Sequence, residues 1–158
     1  MSIYLKCGKI EGELTGDHEG WIEVLSFSHG LSQPISCSRG TGDHGSSTVE
    51  FQMLTITKNL DTATIDLNKA CCNGTVLPIV ELEFCQTSNE VLVCFWKYEL
   101  GNAFIQSVTI GGSNSDRPYE TVMFAYKTIK WTYKPLKDGG ETTVGPKGWD
   151  LGNGKELN

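Results

Sequence analysis

Eight segments of this chain repeat with the two-residue period of a β-strand, at about 2–7, 20–29, 48–57, 76–86, 90–99, 103–110, 121–134 and 142–150. A single stretch has the period of a helix. Many short strands cannot each find a core of their own; they bury their apolar faces only by stacking sheet on sheet or by closing on themselves. The expected fold class is therefore mostly β: a β-barrel or two-sheet sandwich with one short flanking α-helix, built as one domain over residues 1–158. Glycine contributes 18 of the 158 residues, above average usage, which suits many turns, and the 39% hydrophobic content is enough for one buried core.

The helical exception is TIDLNKACCNG, where Leu67, Ala70, Cys71 and Gly74 fall at i, i+3, i+4 and i+7. Thr64 suits the N-cap, Asp66 the first turn and Gly74 the C′ position, so a helix is expected over about 64–73. Near Met53–Leu54 the apolar positions change parity, from Val49, Phe51 and Met53 to Leu54 and Ile56, which predicts a bulge or a crossing between sheets. Residues 30–47 are rich in Gly and Ser and show no period. They are expected to form one extended loop, and a loop of that length in a compact domain usually carries a function.

The segment GWIEVLSFSHG, residues 20–30, has two unlike faces. Read as one uninterrupted strand, it puts Trp21, Leu25 and Phe27 on a bulky side that belongs in the core, together with Ile129 and Trp131 from the later segment 121–134. Ser26 and Ser28 then lie on the opposite side, which lacks the long charged residues of an ordinary solvated sheet face.

Charge and motif content narrow the function. A formal net charge of −6 with only 13 Lys and Arg argues against a phosphate-backbone partner, so no nucleic acid is expected. No apolar run is long enough to insert in a membrane, and MSIYLKCGKIEGEL lacks the basic start and continuous apolar stretch of an export signal. Six cysteines, at positions 7, 37, 71, 72, 85 and 94, include no CxxC pair and read as small buried hydrophobes in a reducing compartment, although Cys85 and Cys94 end and begin neighbouring strands. The tetrapeptide TGDH occurs at Thr15–His18 and again at Thr41–His44. Asp and His also favour such turns for local hydrogen bonding, and no spacing brings the two copies together, so neither a metal site nor a catalytic pair is assigned. Ser26 and Ser28 lack the setting of a nucleophile elbow. No cofactor and no catalytic residue is expected.

Taken in order, IYLKCGKIEGE, WIEVLSFSHG, LTITKNLDTATIDLNKACCNG, TVMFAYKTIKWTYKP and GPKGWDLGNGKE resemble the haemolysin-coregulated proteins (Hcp) of type VI secretion systems. The chain departs from that pattern at Asp66, where family members usually carry a proline, and at His29, where many carry a second tryptophan and where looser packing is expected. The resemblance implies a non-enzymatic subunit of the inner tube: a homohexameric ring that stacks into tubes, carries effector proteins in its lumen, lies inside a sheath and meets a spike protein at its tip. It would be assembled in the bacterial cytoplasm and secreted without a cleaved signal peptide. On that reading Ser26 and Ser28 face the lumen, and Ser38, Arg39, Asp43 and His44 of the 30–47 loop make ring or inter-ring contacts. The alternative is a monomeric β-sandwich that binds a carbohydrate or other small ligand, suggested by the Gly-rich loops and exposed aromatics, and a metal-dependent hydrolase built on the TGDH repeats is a more distant one.

Overall fold

The computed structural model describes residues 1–37, 44–46, 48–138 and 142–158. Its strands are β1 (Ser2–Cys7), β2 (Ile22–Val24), β3 (Ser26–Ser28), β4 (Leu31–Ser32), β5 (Ile35–Cys37), β6 (His44–Ser46), β7 (Glu50–Phe51) and β8 (Leu54–Asn59). After the one α-helix, α1 (Ala63–Asn73), come β9 (Leu77–Ser88), β10 (Val91–Gly111), β11 (Tyr119–Ala125), β12 (Thr128–Tyr133), β13 (Val144–Asp150) and β14 (Lys155–Leu157). The fold is mostly β with one helix, as expected, and its form is the sandwich: among the described residues the ladder stays open and does not close into a barrel.

One long strand joins the two layers. The first half of β10 pairs with β9 and β12, giving a layer in the order β2-β1-β9-β10-β12-β13-β14, here sheet A. Its second half pairs with β11, giving β10-β11-β8-β3, here sheet B. The sequence suggests two strands, 90–99 and 103–110, because Gly101 and Asn102 interrupt the pattern. In the structure these residues bend a continuous strand instead. A Cβ on Gly101 would overlap the Thr128 hydroxyl, and Asn102 takes a positive φ of 47°.

The core lies between the layers. Leu5, Ile22, Leu82, Leu100 and Ile129 of sheet A meet Leu54, Ile56, Val122 and Phe124 of sheet B, all fully buried. Trp131 is half-buried and packs on this cluster from beside Ile129. The other three core expectations need correction. Trp21 points to the outer face of sheet A, where Lys6 lies over its ring, and Leu25 is 52% exposed. The physical cause is a change of sheet at Leu25: β2 pairs with β1 in sheet A and β3 pairs with β8 in sheet B. Inward parity is thus set by Ile22 and Val24 before the switch and by Phe27 after it. Phe27 does face inward, 4.5 Å from the Phe84 ring, but β3 is an edge strand and leaves it 39% exposed. The parity change at Met53–Leu54 has the same origin, since β7 pairs with β4 and β8 with β3 and β11.

Helix α1 begins one residue before the expected start, and Asp61 rather than Thr64 caps it. The Ala63 N–H donates to Asp61 Oδ1 at 2.9 Å. Thr64 is buried; its hydroxyl accepts from the Asp61 N–H and donates to Glu120 Oε1 at 2.9 Å. Gly74 ends the helix in the left-handed conformation, φ 60°, as expected. The expected loop 30–47 is partly strand: β5 and β6 form a hairpin with Cys37 opposite His44, and β4 pairs with β7. The cysteine expectation is also corrected. Cys85 and Cys94, directly opposite on β9 and β10, form a disulfide, while Cys7, Cys71 and Cys72 are free.

Candidate assembly surface

The two sheets turn very different outer faces to solvent. On sheet A, Glu81 and Glu83 of β9 alternate outward beside Lys97 and Glu99 of β10 and Lys130 of β12. Lys97 pairs with Glu81 and, at 3.3 Å, with Glu83; Lys130 lies 3.6 Å from Glu99. The Lys97 ammonium loses solvation on this face, but hydrogen bonds and attraction from both glutamates outweigh that loss and hold its pKa above the ordinary lysine value. Cross-strand pairs of opposite charge are what an ordinary solvated sheet face carries.

Sheet B carries none of this. Its register aligns Ser26, Thr57, Thr121 and Thr109 in one row across β3, β8, β11 and β10. The next row is Ser28, Thr55, Met123 and Ser107, and a third joins Asn59, Tyr119 and Gly111. Strand spacing of about 4.8 Å makes these rows a lattice in which Ser and Thr hydroxyls predominate, with Met123, Asn59 and Tyr119 among them and no charged side chain. Leu54, Ile56 and Lys58 of β8 and Glu120, Val122 and Phe124 of β11 are buried on the reverse side, which fixes the hydroxyls outward. The sequence reading found Ser26 and Ser28 on this face but missed their partners. Each threonine sits in an ordinary alternating strand, and only the register of four strands shows that the outward positions are all uncharged.

Beneath the lattice, two charges are buried against each other. Glu120 is directly opposite Lys58, both fully buried, and the ammonium donates to Glu120 Oε1, to Asp61 Oδ1 at 2.7 Å and to the Asn59 carbonyl at 2.9 Å. Through Asp61 and Thr64 this network fastens the N-terminus of α1 to sheet B. Sequence reading did not find it, because residues 62 positions apart become neighbours only through the β8–β11 register.

At one end of the same sheet His29 follows β3. Its Nε2 donates to Tyr126 Oη at 2.7 Å, which donates in turn to the Gln52 carbonyl at 2.8 Å, and its ring packs edge-on to Tyr98. The expected loosening at this position is not seen. Burial lowers the His29 pKa, and because the Tyr126 hydroxyl gives its proton to the Gln52 carbonyl, the His29–Tyr126 bond places a proton on Nε2.

Of the residues expected at ring or inter-ring contacts, His44 opens β6 in the hairpin, and Ser38, Arg39 and Asp43 lie outside the described residues. A further surface feature was not anticipated: an apolar cleft of about 680 Å³ between the C-terminal end of α1 and the start of β9, bordered by Ala70, Leu77 and Ile79. No helix is long and apolar enough to cross a membrane among the described residues.

Comparison with known proteins places this architecture. The family described as type VI secretion system effector, Hcp, matches residues 4–133. Protein hcp1 of Pseudomonas aeruginosa is 32% identical over 155 residues, covering 96% of this chain and 95% of that protein. A solved structure described as that of a type six secretion system protein superposes with a TM-score of 0.89 at 32% identity, covering 99% of both chains. Hcp1 from Salmonella typhimurium superposes with a TM-score of 0.77 at 26% identity, covering 99% of this chain and 98% of that one. A two-layer β fold with one helix, matched along nearly its whole length in sequence and in structure, makes this chain a member of the Hcp family of type VI secretion proteins, which are structural components of that system rather than enzymes.

Proposed function

We propose that this chain is the subunit of a secretion tube, that copies of it close head-to-tail into a six-membered ring, and that the hydroxyl face of sheet B lines the ring's lumen. The observation that carries this reading is the contrast between the two outer faces. A charge placed on a lumen wall is repeated by every subunit around one belt, and its field reaches across a screening length of about 8 Å at physiological salt. A wall of Ser, Thr and Asn avoids that belt. It offers hydrogen bonds that cargo and water satisfy equally well, so a folded effector is held weakly and released. The charged face of sheet A is then free to face the sheath.

Closing a ring also needs a heterologous contact, one patch meeting a different patch on the next copy. The cleft beside α1 supports that role, with Val76 and Ile79 about half exposed at its rim and Ile65 74% exposed on the nearby helix surface. The β5–β6 hairpin is the element that supports stacking of one ring on the next, and the spike closes the tube's tip. Assembly in the cytoplasm before export belongs to the same proposal.

The test is a charge placed on the lattice. Ser28→Arg is expected to leave each subunit folded and the ring intact, because position 28 is exposed and lies on an edge strand opposite Thr55. Capture of a cognate effector by the ring should fall at least tenfold. A variant that captures effector as well as the parent would remove this face from the lumen.

A further inference from the structure

The outer face of sheet A holds one cluster that the tube reading does not use. A short helical turn, Gly16–His18, in the loop between β1 and β2 lays His18 over β9 and β10. His18 Nε2 lies 3.0 Å from Glu83 Oε2, 3.9 Å from Cys85 Sγ and 3.8 Å from Cys94 Sγ, and the ligand atoms of these four side chains all fall within 4.8 Å of one another. The imidazole is held in place by the Tyr4 ring at 4.4 Å and the Trp21 ring edge-on at 4.8 Å.

These distances are close to the edges of a metal tetrahedron. With Zn–S of about 2.3 Å and Zn–N of about 2.0–2.1 Å, a tetrahedral sulfur–nitrogen edge is about 3.6 Å. The two observed sulfur–nitrogen spacings exceed that by a few tenths of an ångström, and the 3.0 Å His18–Glu83 contact is shorter than the nitrogen–oxygen edge of about 3.4 Å by a similar amount. The two sulfurs, bonded to each other in the disulfide, need to part to about 3.8 Å. Cysteines directly opposite on antiparallel strands achieve this by side-chain rotation alone.

We propose that reduction of the Cys85–Cys94 disulfide converts this cluster into a zinc-class metal site, with the Cys85 and Cys94 thiolates, His18 Nε2 and the Glu83 carboxylate as ligands. The chemistry balances. A dithiol gives two electrons and two protons to the disulfide and becomes a disulfide itself, leaving two protein thiols. The divalent cation then displaces both thiol protons to solvent. Two thiolates, a neutral imidazole and a carboxylate suit a borderline-soft cation and not magnesium or calcium, which take oxygen. Lys97, 3.3 Å from Glu83, offsets the residual negative charge of the filled site. A cleft of about 200 Å³, lined by Tyr4, Leu14, Thr15, Asp17, His18 and Leu92, gives the ion a way in. The metal would tie the β1–β2 loop to the β9–β10 hairpin in reducing surroundings, and the disulfide would tie the two strands of that hairpin in oxidising ones. The proposal is independent of the tube reading, so either can fail alone.

The test titrates cobalt(II) into the full chain after reduction by a phosphine, which consumes water and leaves as the phosphine oxide. The reduced chain should take up a single Co²⁺ with tetrahedral d–d bands and a thiolate charge-transfer band, and Zn²⁺ should displace it. The oxidised chain should show no such band. His18→Asn, which leaves both cysteines in place, should weaken Co²⁺ binding at least tenfold. Cys71→Ser/Cys72→Ser should bind as the parent does. The proposal is overturned by a reduced chain without the charge-transfer band, by unchanged affinity in His18→Asn, or by loss of the band in the Cys71/Cys72 variant.

Discussion

At the scale of single residues, the most consequential groups are those sequence reading passes over. Lys58 occupies a position that alternates inward with Leu54 and Ile56, where a charge is normally excluded, and it is tolerated because four oxygens, from Asn59, Asp61, Thr64 and Glu120, surround it. Removing one partner of a buried pair leaves the other charged and unpaired, at a cost of about 3–5 kcal/mol. Lys58→Met is therefore expected to lose that much stability in a denaturant melt, whereas Lys58→Met/Glu120→Leu should recover most of it. Equal losses in the single and double variants would contradict the pairing. His29 supplies a second prediction, in which the sign matters. Its pKa is lowered by burial from 6.5, so the unfolded chain takes up the proton first. The stability that His29 contributes is fully present above about pH 6.5 and is lost as pH falls toward the folded value. His29→Phe should flatten this part of the profile, and melting temperatures measured from about pH 7.5 to 5.5 should fall less in the variant than in the parent. Parallel profiles would show that His29 does not titrate as described.

Among the elements, the longer strands and the helix were legible from periodicity, the short strands β4, β5, β6 and β14 were not, and the switch of strand partner at Met53–Leu54 was legible because apolar residues changed parity there. The switch at Leu25 was not, because Trp21, Ile22, Val24 and Leu25 are apolar on both parities and no period separates inside from outside. The two halves of β10 read as separate strands for a related reason: Gly101 and Asn102 are turn residues, and only the close approach of Thr128 shows them to be a bend. His18 looked like a turn residue because its partners Glu83, Cys85 and Cys94 lie at least 65 positions away in the chain. The hairpin β5–β6 belongs to this scale too. Replacing residues 35–46 by a short Gly-rich turn should leave the sandwich and the ring unaltered while abolishing ring-on-ring stacks in electron micrographs. Stacks of normal length in that variant would move the stacking contact elsewhere.

For the whole molecule, the central question is how one sandwich with two unlike faces is oriented in an assembly. Sheet A, with its cross-strand ion pairs, is suited to water and to charged neighbours. Sheet B, with rows such as Ser26–Thr57–Thr121–Thr109, suits a surface repeated around an axis, where every side chain is multiplied by symmetry. The Lys58–Glu120 pair and Asp61 hold the helix to the reverse of that sheet, so on the proposed reading the surface beside α1 and the hydroxyl face are linked by one buried network. The most direct measurement is an electron cryomicroscopy map of the purified protein at side-chain resolution. Six-membered rings are expected, with Ser26, Ser28, Thr55, Thr57 and Thr121 turned toward the axis and Glu81, Lys97 and Lys130 turned outward. A monodisperse monomer, or rings with the charged face of sheet A toward the axis, would contradict this expectation.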